Sequence, residues 1–222
     1  MSALNDLRAH LTAMRTLVKG VTRGLAELSP RDDPLELFNQ WYADAEKSGL
    51  LLPESMALAT ATSDGVPSVR MVLLKRVDAR GFRFFTNFGS RKALELDANP
   101  RGALCFYWSV LERQVRVEGS VARLSTQESD AYFRSRQRGS QIGAWASRQS
   151  RSIADRQALE ARVREMEQRF ADGPVPLPEH WGGYILKPTR FEFWQGRSNR
   201  LHDRFAYTLS PGGQWIVSRL QP

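Results

Sequence analysis

The sequence predicts an α+β fold: an antiparallel β barrel with helices packed on its outside. Three observations lead there. From Met56 onward, apolar residues recur with period two in short runs separated by turn residues, which is the pattern of successive hairpins. The helical segments are inserted between hairpins instead of alternating one-for-one with strands, which argues against a parallel sheet. No Gly-x-Gly-x-x-Gly opens a strand–helix unit, so a dinucleotide site of the doubly wound kind is not expected.

The elements follow in order. Residues 1–30 read as an arm with weak helical periodicity in Leu7, Leu11, Met14, Leu17 and Val18, ending at the Ser29-Pro30-Arg31-Asp32-Asp33-Pro34 break; residues 31–222 read as the main domain. Pro34 opens a helix through Lys47, with Leu35, Phe38, Trp41, Tyr42 and Ala45 on one side and Gly49 as its stop. Met56–Thr62 is a strand, Ser63-Asp64-Gly65 a turn, and Ser68–Val77 its partner. A turn over Asp78–Gly81 leads into a strand over Phe82–Thr86, and Ser90 caps a short helix that Asn99-Pro100 breaks. Strands are expected at Ala103–Trp108 and Gln114–Leu124. Ser125-Thr126-Gln127-Glu128 fits a capping box for a helix through Arg136. Ser152–Phe170 shows a stripe of Leu159, Val163, Met166 and Phe170 and predicts another helix. Pro174, Pro176 and Pro178 stiffen a connector. The last strands are expected at Gly183–Lys187, Phe191–Gln195, Phe205–Leu209 and Trp215–Ser218, with Gly212-Gly213 turning the final hairpin.

Composition limits the function classes. The 222 residues suit one domain, or one domain with an arm, and a 41% hydrophobic fraction supports a packed core. No apolar run is long enough to span a bilayer, and the N-terminus lacks a basic region followed by an apolar one, so a cytoplasmic protein without a membrane partner is expected. The single cysteine, Cys105, lies in an apolar run and reads as a core residue. Neither metal-ligand spacing nor a Ser-His-Asp arrangement is evident, and no metal is expected. The net charge of +8 fits nucleic acid or small phosphorylated ligands. Only five of the 32 basic residues are lysines, and no basic run reaches five residues, which favours bidentate anion contacts over a diffuse cationic tail.

Five segments hold residues suited to chemistry. Phe191–Arg204 combines aromatic rings, a histidine and several guanidiniums; Glu192, Trp194, Arg200, His202 and Arg204 stand at even spacings, around a turn expected at Gly196–Asn199. Such an array suits a flat anionic heteroaromatic ligand, although a surface strand with a basic end has the same pattern. Arg70-Met71-Val72-Leu73-Leu74-Lys75 sends its two cations to opposite strand faces. Phe85–Lys92 places Ser90, Arg91 and Lys92 at a helix start, where free N–H groups suit an anion but where a simple surface cap is equally common. Gln114 opens a strand. Tyr132 and Arg136 are four apart on a helix, with Ser140 in the loop beyond, a set able to clamp a phosphate.

The C-terminal segment, with Glu192-Phe193-Trp194 followed after a spacer by Arg200-Leu201-His202-Asp203-Arg204, resembles the signature of the pyridoxine/pyridoxamine 5′-phosphate oxidases, and the likeness extends from about Asp33 to the C-terminus. The resemblance implies an FMN-binding split barrel, usually a homodimer with FMN at the subunit interface. It implies oxidation of pyridoxamine and pyridoxine 5′-phosphates to pyridoxal 5′-phosphate, with O2 reduced to H2O2. By the same resemblance the run from Arg70 to Lys75, together with Phe85, Thr86, Ser90, Arg91, Lys92, Gln114, Trp194 and Arg204, contacts FMN; Gln149 and Ser150 do so from the partner subunit. Lys75, Tyr132, Arg136 and Ser140 hold the substrate phosphate, and Arg200 and His202 hold its ring as the catalytic pair. His10 and His180 read as structural. Two departures stand out: valine at Val18, where the family arm carries tyrosine after Met14-Arg15, and Gln137 where it carries proline. A phenazine-pathway oxidase of the same fold and a basic nucleic-acid-binding module are the competing readings.

Overall fold

The computed structural model describes residues 33–222, so the arm expected at 1–30, including Met14–Val18, lies outside the described residues. Helix α1 (Pro34–Glu46) starts where Asp33 accepts a hydrogen bond from the Leu35 N–H at 2.8 Å, and proline takes the first position, where a missing N–H costs nothing. Gly49 then takes φ +87°, ending the segment as expected. Phe38, fully buried, packs its ring against Phe82 at 4.8 Å and Phe106 at 5.0 Å. Helix α1 thereby plugs the barrel, and truncation of such a ring costs about 3–5 kcal/mol.

The strands are β1 (Ser55–Ala61), β2 (Pro67–Leu73), β3 (Arg76–Asp78), β4 (Gly81–Asn87), β5 (Arg101–Trp108), β6 (Arg113–Arg123), β7 (Trp181–Gln195), β8 (Asp203–Leu209) and β9 (Trp215–Leu220). They form one antiparallel sheet in the order β2-β1-β5-β6-β7-β4-β3, with β8 on β7 and β9 on β8. Strand β7 explains the split. Phe82–Asn87 of β4 pair with Trp181–Leu186 in its first half, while Asp203–Thr208 of β8 pair with Arg190–Gln195 in its second. Inward-facing Met56, Leu58, Leu104, Phe106, Val115, Val117, Phe191 and Phe193 make the core by strict alternation.

Helices α2 (Arg91–Ala98), α3 (Thr126–Ser135), α4 (Arg138–Ala146) and α5 (Arg156–Arg169) lie outside the sheet strands in sequence, as expected of an α+β barrel. The capping box of α3 forms with both bonds: Ser125 Oγ accepts from Glu128 N–H at 3.2 Å and Glu128 accepts from Ser125 N–H at 3.3 Å. A second cluster of Phe133, Ile142, Met166, Val175 and Trp181 packs α3, α4 and α5 together.

Four expectations need correction. The strand predicted over Ser68–Val77 breaks after Leu73, because Leu74 N–H turns to the Glu54 carbonyl and Lys75 N–H to that of Arg83; β3 then pairs with β4. The two strands predicted on either side of Pro188 are one. A register shift at Glu118/Gly119 absorbs the proline, and a side chain at Gly119 would place Cβ 2.0 Å from the Lys187 carbonyl oxygen. Helix α5 begins at Asp155, whose carboxylate accepts from Ala158 N–H, and not at Ser152. The sequence pattern does not predict helix α4: Gly139 and Gly143 lower its propensity, and burial of Ile142 and Ala144 stabilises it regardless.

Candidate active site

A cavity of about 800 Å³ opens between the edge strand β2, the end of β4, the start of α2 and the α3–α4 corner. Of the residues expected at a site, Arg70, Met71, Val72, Leu73, Lys75, Phe85, Thr86, Arg91, Lys92, Tyr132, Arg136, Ser140, Gln149 and Ser150 all line it. The edge position of β2 matters: an edge strand exposes both its faces and its free backbone, so residues of opposite parity reach the same space.

One group of cations surrounds the start of α2. Lys92 Nζ is buried and donates to Thr86 Oγ1 at 3.1 Å, Ser90 Oγ at 3.3 Å and Gln149 Oε1 at 2.9 Å, all neutral oxygens. Burial, aided by the nearby Arg70 charge, pulls its pKa down to about 8. Arg70 Nη1 donates to the Leu58 carbonyl at 3.0 Å and to Thr60 Oγ1 at 2.6 Å, while its Nη2 reaches Ser68 and Glu95. Arg91 Nε pairs with Glu95 Oε1 at 2.8 Å across one helical turn.

A second group stands apart from these hydrogen-bond networks. Lys75, Tyr132 and Ser140 make no side-chain hydrogen bond among the described residues, and Arg136 Nη1 is buried without one. Arg136 is held instead over the Trp181 ring, 4.6 Å from its centroid, and Tyr132 stacks on Phe85 at 3.9 Å. Burial raises the Tyr132 pKa and lowers that of Arg136. Arg136 itself follows α3 in extended conformation and Ser140 lies within α4, not in a loop.

The remaining expected residues are elsewhere in the chain. Gln114, Trp194 and Arg204 form one cross-strand row over β6, β7 and β8, since Gln114 pairs with Trp194 and Trp194 with Arg204. Arg204 is anchored by Glu192 at 2.7 Å. His202 lies in the loop before β8, its ring 4.6 Å from that of Trp194, and its Nδ1 accepts the Arg197 N–H at 3.1 Å. Arg200 sits at φ +61° on an exposed turn. None of these five lines the β2–α2 cavity within one chain. Two expectations are corrected: Leu74 points into the core, 6% exposed, and Ser90 is fully buried behind Lys92, making no cap bond to its helix. Gln149 and Ser150, expected to act from a partner subunit, also line the cavity of their own chain, where Gln149 accepts from Thr86 and Lys92.

Residues 23–170 match the family described as pyridoxamine 5′-phosphate oxidase. The chain belongs to this family. Residues 181–222 match the family's C-terminal dimerisation region, described under pyridoxine 5′-phosphate oxidase. Among relatives, the pyridoxine/pyridoxamine 5′-phosphate oxidase of Psychromonas ingrahamii is 54% identical over all of both chains. That of Rubrobacter xylanophilus is 57% identical over 90% of this chain and 91% of its own. Among solved structures, PhzG from Burkholderia lata, in complex with tetrahydrophenazine-1-carboxylic acid, superposes with a TM-score of 0.82 at 33% identity, covering 90% of this chain and 99% of its own. An FMN-binding protein from Nostoc punctiforme shares the fold at TM-score 0.70 and 17% identity over 89% of this chain and all of its own.

This pyridoxamine 5′-phosphate oxidase family member also has site groups that the motifs did not reveal. Glu95 ties Arg70 to Arg91, Trp181 backs Arg136 and Tyr132, and Asn87 holds the turn before α2 by accepting the Gly89 N–H and donating to the Ser147 carbonyl. The i, i+4 spacing of Arg91 and Glu95 was readable; the other contacts span up to 60 residues and depend on the tertiary fold.

Proposed function

We propose that the chain is an FMN-dependent oxidase converting pyridoxamine 5′-phosphate and pyridoxine 5′-phosphate to pyridoxal 5′-phosphate, with O2 as electron acceptor and H2O2 as the second product. The observation that carries this reading is the set of Lys75, Tyr132, Arg136 and Ser140: four anion-competent donors lining one cavity, with no side-chain hydrogen bond among the described residues. A buried guanidinium nitrogen without a partner is costly unless a ligand supplies one. The second cationic group, Arg70, Arg91 and Lys92, fits the phosphate of FMN, because Lys92 is buried among neutral oxygens and pairs with no carboxylate among the described residues. The chemistry that bound FMN would supply is an acceptor for a hydride equivalent from the substrate C4′ carbon and a route for its electrons to oxygen.

The side chains of the protein bind and align. Lys75, Tyr132, Arg136 and Ser140 grip the substrate phosphate, and this remote binding energy positions the reacting carbon. Arg200 and His202 hold the pyridine ring as the catalytic pair. Gln114, Trp194 and Arg204 contact the flavin. Since those five stand away from the cavity of their own chain, we read the enzyme as a homodimer with FMN at the subunit interface, each site combining one set from each copy. The match of 181–222 to a dimerisation region supports this reading. So does exposed Val69, Met71 and Tyr107, 69%, 64% and 59% accessible, on the sheet face that carries Gln114 and Trp194. No helix among the described residues is long and apolar enough to cross a membrane. Phosphorylated substrates do not cross membranes unaided, and we place the activity in the cytoplasm.

The test is direct. The purified protein should absorb in the near-ultraviolet and blue and release FMN on denaturation. It should consume oxygen with pyridoxamine or pyridoxine 5′-phosphate and not with a reduced phenazine carboxylate. A colourless protein that cannot be loaded with FMN, or turnover confined to the phenazine, rejects the assignment.

A further inference from the structure

Glu95 is a carboxylate only 4% exposed, on the second turn of α2, with donors on both oxygens. Its Oε1 accepts from Arg91 Nε at 2.8 Å; its Oε2 accepts from Ser68 Oγ at 2.5 Å, from Arg70 Nη2 at 3.3 Å and from Thr60 Oγ1. Burial alone pushes its pKa up, yet the hydrogen bonds from Ser68, Thr60 and Arg91 more than reverse this and hold it at about 2, so the group is anionic throughout the neutral range.

The geometry of the two arginines makes this carboxylate more than a charge balance. Arg91 is 61% exposed at its side chain and, among the described residues, is held through Nε alone, with no partner for either terminal nitrogen. A long exposed side chain otherwise samples many rotamers, and ordering it is an entropic cost that ligand binding must meet. Arg70 comes from a different element, β2, and is fixed to the same carboxylate. Lys92 completes the group, with no carboxylate of its own among the described residues. Three cations and one anion leave a net charge of +2, the complement of a phosphate dianion.

We propose that Glu95 is a positioning residue for the cofactor phosphate: it pre-orders Arg91 and Arg70, from two separate elements, so that the phosphate meets a cradle already assembled. This rests on the reading that Arg70, Arg91 and Lys92 hold the FMN phosphate. The role is specific to the phosphate and differs from a buried ion pair that merely holds α2 against the barrel, since loss of the latter would harm every ligand alike.

The experiment compares FMN with riboflavin, which has the same ring and no phosphate, by quenching of flavin fluorescence on the full-length protein stripped of flavin. In Glu95→Gln the dissociation constant for FMN should rise about tenfold or more while that for riboflavin stays within about twofold, so the preference for FMN collapses. In an Arg91→Ala background, the same Glu95→Gln change should cost FMN binding at least threefold less, because the residue acts through Arg91. Should Glu95→Gln not fold, Glu95→Asp, which keeps the charge but shortens its reach, is measured against the same criteria. An unchanged FMN-to-riboflavin ratio, equal weakening of both flavins, or full additivity with Arg91→Ala overturns the role of Glu95 while leaving the phosphate site standing. A parental protein that binds the two flavins equally overturns the phosphate reading, and this proposal with it.

Discussion

Trp194 lies directly opposite Arg204 across the β7–β8 ladder, with Gln114 on its other side across β6. The indole, the guanidinium and the amide therefore form one row on the outward face of the sheet, and Glu192 fixes the guanidinium through bonds of 2.7 and 3.0 Å. This row and the β2–α2 cavity are separate within one chain, and a two-fold dimer would bring one of each to every site.

That arrangement predicts complementation between defective copies. Arg91→Ala and Arg204→Ala should each lose a charge-assisted contact of about 1.5–3 kcal/mol and weaken FMN by more than tenfold. A heterodimer of the two carries both defects in one site and none in the other. Half of its sites should therefore hold FMN at parental affinity, measured by flavin titration of the tagged, purified heterodimer. If none do, the site is contained in a single chain.

Arg200 makes no side-chain hydrogen bond among the described residues and stands on an exposed turn. Its replacement by alanine should leave folding and FMN content unchanged. Flavin reduction by pyridoxamine 5′-phosphate should slow by roughly two orders of magnitude, the scale of lost alignment. Stopped-flow absorbance checks this, and reduction at the parental rate removes Arg200 from the mechanism.

Lys75→Ala combined with Arg136→Ala removes two of the four donors whose side chains make no hydrogen bond among the described residues. Binding of pyridoxal 5′-phosphate should weaken by about 3 kcal/mol or more. Equilibrium titration followed by the absorbance of the ligand reads this, and an affinity equal to that of the parent rejects the clamp.

Lys92 gives the site a pH dependence of known sign. Its pKa in the free protein is lowered to about 8, and a phosphate dianion beside it favours the ammonium, so the pKa rises in the complex. Binding then takes up a proton above pH 8. FMN affinity should be flat between about pH 7, where the phosphate is already a dianion, and pH 8, and fall by up to tenfold per unit above that, until the raised pKa of the complex is passed. Lys92→Arg, whose guanidinium stays charged, should flatten the profile; an equally steep profile in that variant assigns the effect to another group.

Local signals carried well through the fold. The capping box at Ser125 and Glu128 formed as spelled, as did the Pro34 start of α1 and the turns at Gly49 and Gly81, because each depends on neighbours within four residues. Periodicity failed where distant packing outweighed it. Helix α4 exists despite two glycines, and β7 runs through Pro188 because β6 shifts register opposite it.

The segments rich in guanidiniums and rings were legible in the chain, but their chemistry alone fitted a surface strand or a capped helix as well as an anionic aromatic ligand; the resemblance of the C-terminal segment to a family is what assigned them to a site. Which of them share a space was not legible. Only the curled sheet brings Arg70 to Glu95, sets Gln149 against Lys92 in its own chain, and aligns Trp194 and Arg204 in a row outside that cavity. Such contacts join residues far apart in sequence, and their geometry comes from strand register and barrel closure, which no local pattern encodes.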